Sequence, residues 1–547
     1  MRPIVAAFLL TLAVRPLTAQ SVTVPPANDA ARRVEQLVEV SRLDELRWPD
    51  FTDYRKHLRN FYAPRGYDVA WTRDAKPTPQ ALAVIALFKA ADVKGINAVD
   101  YDAPRWDERL RALNSSAESL ARFDLALSAS VMRYISDLHI GRINPHNLRF
   151  ELDIESKKYY LPRLLDEIRG SADPAAILAD VEPHFEEYHR LQEALAKYRR
   201  LADDPENDVA LPETKTRPGE KYAALPQLAR FLRQVGDLPA NAKVDKSVYS
   251  GAIVEAMKRF QSRHGLEPDG VLSARTFHAL NVPLSLRVRQ ILLALERWRW
   301  MPAEFERAPI VVNVPEFILH AWSDDMKHET TMRVVVGQAY SHQTPIFEAA
   351  MRYVVFRPYW NVPPSIQQKE LVPKVAKDPG YLARNGYEVV TADDKPLAIA
   401  RVDAATLARL RSGALEIRQK PGPSNALGLV KFMFPNSNNV YLHSTPSQLL
   451  FSKSRRDFSH GCIRVEDPAR LAAWVLRDQP QWTPERIKAA MNGKDPSQAN
   501  LTKPIPIVIL YSTAAVTQEG LVQFFDDIYG HDETLENALA AGYPYPA

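Results

Sequence analysis

Tyr441-Leu442-His443-Ser444-Thr445-Pro446 and, further on, Ser459-His460-Gly461-Cys462-Ile463-Arg464-Val465 are the stretches that decide how this chain is read. Cys462 is the one cysteine in 547 residues. It can form no internal disulfide, so its thiol is either buried and inert or kept for chemistry. The neighbours favour chemistry. A thiol attacks as thiolate, and its unperturbed pKa is about 8.5, so it needs a base. His443 ends the run Val440-Tyr441-Leu442-His443, which reads as a strand. The eighteen residues between His443 and Cys462 are enough chain to bring two adjacent elements together. An imidazole so placed takes the thiol proton and returns it to a leaving amine. Gly461 permits a tight bend and close approach of substrate. The N–H groups around Gly461 and Cys462 are candidate oxyanion donors. Arg464 either holds a substrate carboxylate or braces the loop. His460 either tunes the thiolate or packs beneath it.

Around this motif lie β-branched and aromatic runs separated by turns. Ile310–Val314, Met332–Gly337, Arg352–Phe356 and Ile505–Tyr511 join Val440–His443 in the set. They predict a β-rich domain over 308–515. Between its strands, over 365–425, a helical, Lys-rich insertion ends at Pro421-Gly422-Pro423, and insertions of this length are often functional lids. Trp360 and Asn361 open it, with a substrate-binding or a structural role. Upstream, Leu225–Val235 and Ser250–His264 carry apolar residues at helical spacing, and Ser273 is a predicted N-cap of a third, short helix. These make a small helical module over 222–283. The polar, Pro-containing Asp203–Lys221 reads as a linker. Residues 31–215 are mainly helical, as over Pro79–Ala91 and Ser116–Leu138. Residues 516–547 are left as a C-terminal tail. The fold class is multidomain α+β, and the length favours about three or four domains.

His443, a gap of about fifteen residues, then Ser459-His460-Gly461-Cys462-Ile463-Arg464 resembles the active-site signature of the YkuD-type L,D-transpeptidases. The string Phe260-Gln261 … Gly265-Leu266 … Asp269-Gly270 … Thr276 resembles the three-helix peptidoglycan-binding module. Tyr67 … Ala70-Trp71, Gln419-Lys420-Pro421-Gly422-Pro423, Asn425-Ala426-Leu427-Gly428 and Lys431-Phe432-Met433-Phe434-Pro435-Asn436 resemble the YcbB-type members, Gram-negative periplasmic proteins with a helical scaffold domain and a capping insertion. His460 departs from some of these, which have Ser there. The resemblance implies acyl transfer: Cys462 as nucleophile, His443 as proton donor and acceptor, and a thioester formed on a peptidoglycan tetrapeptide stem and resolved by an amine of a second stem to give a 3→3 cross-link. It implies a backbone carbonyl that orients His443, supplied by Ser444 or by Ser459–Gly461. Ser444 and Ser459 are also candidate substrate contacts. No metal or organic cofactor is implied.

The chain is 46% hydrophobic and 25% charged with a net charge of +4. That balance is globular and carries no nucleic-acid stripe. Met1-Arg2-Pro3, the apolar run Ile4–Val14 and Leu17-Thr18-Ala19 read as a secretory signal over 1–19; an uncleaved anchor is the other reading. No further stretch has the roughly 20 apolar residues of a membrane span. Rival functions are zinc hydrolysis through His443, His460 and Cys462, a non-catalytic wall-binding scaffold, and the same site used as an L,D-carboxypeptidase, in D-amino-acid exchange or with a lipoprotein lysine as acceptor. The sequence lacks an evident His-Glu-x-x-His motif. Other wall-synthesis enzymes are possible partners.

Overall fold

The β-branched runs after Ala308 pair as their alternation requires. The computed structural model describes residues 24–324 and 329–542; the expected signal lies outside them. Among the described residues a nine-stranded sheet contains all five predicted strands, plus Ile318–Trp322, Val430–Met433, Asp457–Ser459 and Ile463–Val465. Glu329–Gly337 pairs with Ile318–Trp322 and also with Ile463–Val465, so the sheet closes on itself as a barrel, with Asp457–Ser459 as a short strand added to Glu329–Gly337. Inward-facing Ile310, Val312, Val334, Val354, Phe432, Leu442, Ile463 and Ile507 form its buried core.

The insertion adds to its helices a second sheet, ordered Trp360–Asn361, Glu416–Gln419, Tyr387–Val390, Pro396–Leu397. Its own core gathers Val372, Val375, Leu382, Val389, Leu410 and Ile417. The short strands escape a helix-based reading because each buries at most two side chains. Gln367 is fully used at its centre: its amide donates to Leu410 O and Leu415 O and accepts from Ile417 N. The buried Asn425 ties the two ends together, donating to Pro358 O at the entrance and to Gln419 O and Lys420 O at the exit.

Three helices, Leu225–Val235, Ala252–Arg263 and Ala274–Leu280, make the module before the barrel. Ser273 caps the third by accepting from Thr276 N. The C-terminal residues differ from the expected tail. Ala514–Val516 and Val522–Phe524 form a hairpin, and His531–Ala541 is a helix. Val522 and Phe524 enter the module's core beside Met257, Phe260 and Phe277. Isolated apolar residues in a Gly- and Asp-containing stretch give no periodic signal, and their burial is decided by distant partners.

A separate unit comprises residues 24–92, 97–136 and 159–181. Its helices pack around buried Tyr62, Trp71, Tyr101 and Trp106. Asp124 organises its centre, accepting from Ala70 N, Trp71 N and the Tyr62 hydroxyl. One turn on, Ser128 accepts from Trp71 Nε1. Burial still holds the Asp124 carboxyl up at about 6 against those bonds. The Ala70-Trp71 motif is thus a structural anchor here.

Candidate active site

Strand register assembles the site. Leu442–His443 runs parallel to Ile463–Val465, with His443 opposite Arg464, and antiparallel to Val430–Met433, with His443 opposite Lys431. Paired residues share a sheet face, and residues two apart on a strand share it too. Lys431, His443 and Arg464 therefore lie on one face, with Tyr441 and Cys462 just ahead of their strands. Phe432, Leu442 and Ile463 alternate into the core, which fixes the register.

His443 is buried, and its Nδ1 donates to Ser444 O at 2.5 Å. That bond sets the tautomer and leaves Nε2 as the acceptor. Burial, then the Arg464 guanidinium, drives the imidazole down to about 3. Burial also pushes the Cys462 thiol up, against the opposing pull of Tyr441, Lys431 and Arg464. The resting pair at neutral pH is thus a thiol and a neutral imidazole. The thiol points toward Asn439 O, 3.8 Å away, and makes no hydrogen bond with His443. Lys431 Nζ sits 3.9 Å from the centre of the Tyr441 ring, and the Tyr441 and His443 rings meet edge to face at 5.7 Å.

The loop before the thiol is fixed from within. Gly461 has φ +108°, a conformation open to glycine. Its N–H donates to Ser459 Oγ at 3.1 Å, so Gly461 N–H serves the loop and Cys462 N–H is the donor left over. Ser459 is buried and braces this turn. The main chain of Ser444 orients His443, while its side chain packs on Gly428. Arg464 is half-buried, and its Nε has no hydrogen-bond partner among the described residues. His460 reaches Glu370 of the insertion, Nε2 to Oε1 2.7 Å, and its ring meets His342 at 4.7 Å. Glu370 lies on Gln367–Leu371, a π-turn within a helical run, a form frequent at functional sites. Trp360 packs into the insertion's core near Tyr387, and Asn361 is exposed on its edge strand.

Tyr441 was legible in the sequence as a strand residue and Lys431 only as part of the YcbB-type string; neither carried an assigned role there. The period-2 pattern was the available signal, since Tyr441 stands two residues before His443. Among the described residues no group of three or more His, Cys, Asp or Glu converges as a metal-ligand set.

Three family models match. Residues 56–195 match a "Scaffold domain", residues 222–280 a "Putative peptidoglycan binding domain", and residues 307–495 an "L,D-transpeptidase catalytic domain". A "Putative L,D-transpeptidase" of Haemophilus influenzae is 32% identical over 230 residues, which are 42% of this chain and 45% of that relative's length. The solved structure of an L,D-transpeptidase (residues 123-326) from Xylanimonas cellulosilytica is 12% identical, over 55% of this chain and 100% of that one, with a TM-score of 0.18. By the family models, the chain carries an L,D-transpeptidase catalytic domain over 307–495, preceded by a peptidoglycan-binding domain over 222–280.

Proposed function

We propose that this protein is a cysteine L,D-transpeptidase of the YcbB type that makes 3→3 peptidoglycan cross-links outside the cytoplasm, in the periplasm. The observation that carries the reading is the shared face of Cys462, His443 and Arg464, with His443 held by Ser444 O in the tautomer that accepts a proton.

In the first step the Cys462 proton passes to His443 Nε2 as Sγ bonds the carbonyl carbon of the donor stem's meso-diaminopimelate L-centre. The tetrahedral oxyanion collapses with cleavage of the C–N bond. The proton on His443 goes to the departing amine, and D-alanine leaves. In the second step a side-chain amine of another stem attacks the thioester, its proton moves to His443, and as the C–S bond breaks that proton passes from Nε2 to Sγ, restoring the thiol and the neutral imidazole. Arg464 and Lys431 supply positive charge beside the sulfur. Arg464, whose Nε has no hydrogen-bond partner among the described residues, suits a stem carboxylate by bidentate bonding. Burial keeps both partners neutral at rest, which makes proton transfer part of the attack itself.

The test is incubation of the purified protein with disaccharide-tetrapeptide, read by mass spectrometry beside Cys462→Ala. A dimer lighter by one D-alanine, absent from the variant, is expected. Tripeptide alone would reassign the site to carboxypeptidase chemistry. Equal activity in the variant would remove the cysteine mechanism.

A further inference from the structure

Two residues far from the signature converge on the peptide that precedes the nucleophile. Thr344 is fully buried. Its hydroxyl accepts from Gly337 N at 2.9 Å and donates to Gly461 O at 2.8 Å, so its single proton is committed to Gly461. Tyr529, in the C-terminal segment, closes the same turn at both ends. Its hydroxyl donates to Gly337 O at 2.7 Å and accepts from Thr344 N at 3.1 Å. Burial pushes Tyr529 up to about 12, so the hydroxyl keeps its proton. Behind it, Tyr529 N donates to the Tyr511 hydroxyl, which donates to Asp527. The turn also lies against Gly461 itself, with Gln343 O and His342 O at 3.6 and 3.9 Å from where a β-carbon would stand.

The consequence follows from peptide planarity. In a trans peptide the C=O and the following N–H point to opposite sides. Fixing Gly461 O on Thr344 therefore directs Cys462 N–H away from the turn. Ser459 already occupies the Gly461 N–H, and Cys462 N–H has no acceptor in the protein among the described residues. Glycine at φ +108° resists rotation of this peptide only weakly, so orientation must come from an outside bond.

We propose that Thr344, supported by Tyr529, is a positioning residue for acyl transfer: it holds the Gly461–Cys462 peptide so that Cys462 N–H faces the oxyanion. The proposal rests on the reading of Cys462 as nucleophile. It separates two reactions of the same sulfur. Transfer from a tetrapeptide passes through an oxyanion, whereas alkylation by iodoacetamide is a direct displacement at carbon that expels iodide and needs no oxyanion donor.

The experiment compares the full chain with Thr344→Val, Thr344→Ser, Tyr529→Phe and Cys462→Ala. It measures kcat and KM on disaccharide-tetrapeptide, the rate of Cys462 alkylation, and thermal unfolding. In Thr344→Val, kcat is expected to fall about 10- to 100-fold, the scale of a misdirected oxyanion donor, while KM and alkylation change by less than about twofold. Thr344→Ser restores most of kcat, and Tyr529→Phe shows the same pattern in smaller degree. Unchanged kcat in Thr344→Val and Tyr529→Phe overturns the proposal. So does alkylation that falls in step with turnover, which would mean the sulfur itself has moved, or a serine variant no better than valine. A parent without turnover, or activity surviving in Cys462→Ala, defeats the nucleophile reading first and this proposal with it.

Discussion

Cys462 and His443 are each shifted toward their neutral forms, Cys462 up and His443 down to about 3. A preformed thiolate–imidazolium pair would require the opposite shifts. The deprotonated sulfur is the nucleophile, so raising its pKa lowers the thiolate fraction at neutral pH. Alkylation of Cys462 by iodoacetamide is therefore expected to be slow at pH 7 and to go on climbing above the ordinary thiol value of about 8.5. A flat rate between pH 6 and 8 would show an ion pair and contradict the neutral resting state. At this scale the sequence was informative because Cys462 is alone and His443 and Cys462 flank short strands. It could not assign Ser459 or Ser444 between substrate and scaffold. That choice depends on burial and on which main-chain atom each one meets. Thr344 carried no local signal at all, since its partner Gly461 stands 117 residues away.

Among the elements, the turn Asn425–Gly428 presses against the chain that follows His443. Gly428 has φ +61°, and a β-carbon there would fall on the Ser444 side chain and 2.7 Å from Thr445 N. Ser444 supplies the carbonyl that orients His443. Gly428→Ala is expected to shift that carbonyl and cut kcat about tenfold or more, since displacements near 1 Å at a catalytic group can cost about 100-fold. Retained kcat would show that the base tolerates a displaced support. Strand alternation made the barrel legible, because one face is continuously apolar through Val354, Phe432, Leu442 and Ile463. The insertion's sheet was not legible. Trp360–Asn361 and Pro396–Leu397 are two-residue strands, too short for a period to register.

Over the molecule as a whole, the C-terminal segment joins the peptidoglycan-binding module to the catalytic barrel. Phe524 lies in the module's core, with Arg287 4.6 Å above its ring, while Tyr529 five residues on supports the catalytic loop. Phe524→Ala is expected to destabilise by about 3–5 kcal/mol and to lower the unfolding midpoint in urea. A loss under about 1 kcal/mol would show that the site collapses around the gap. The domain plan was readable from composition shifts and motifs, but this joining was not, because it arises from contacts between residues far apart in the chain, as between Arg263 and Val522, 259 residues apart. The Asn425 staple has a different consequence. Chain enters the insertion at Pro358 and leaves at Lys420 through one doorway, joined by the pairing of Trp360–Asn361 with Glu416–Gln419 and by the Asn425 amide. What lies beyond a shared doorway meets the barrel through that threshold and through the Glu370–His460 contact, and loop-closure entropy grows slowly with length. The insertion is therefore an exchangeable part: the same barrel can wear a larger, smaller or differently shaped hood, with Glu370 and His460 as the point where each new hood would have to find its grip.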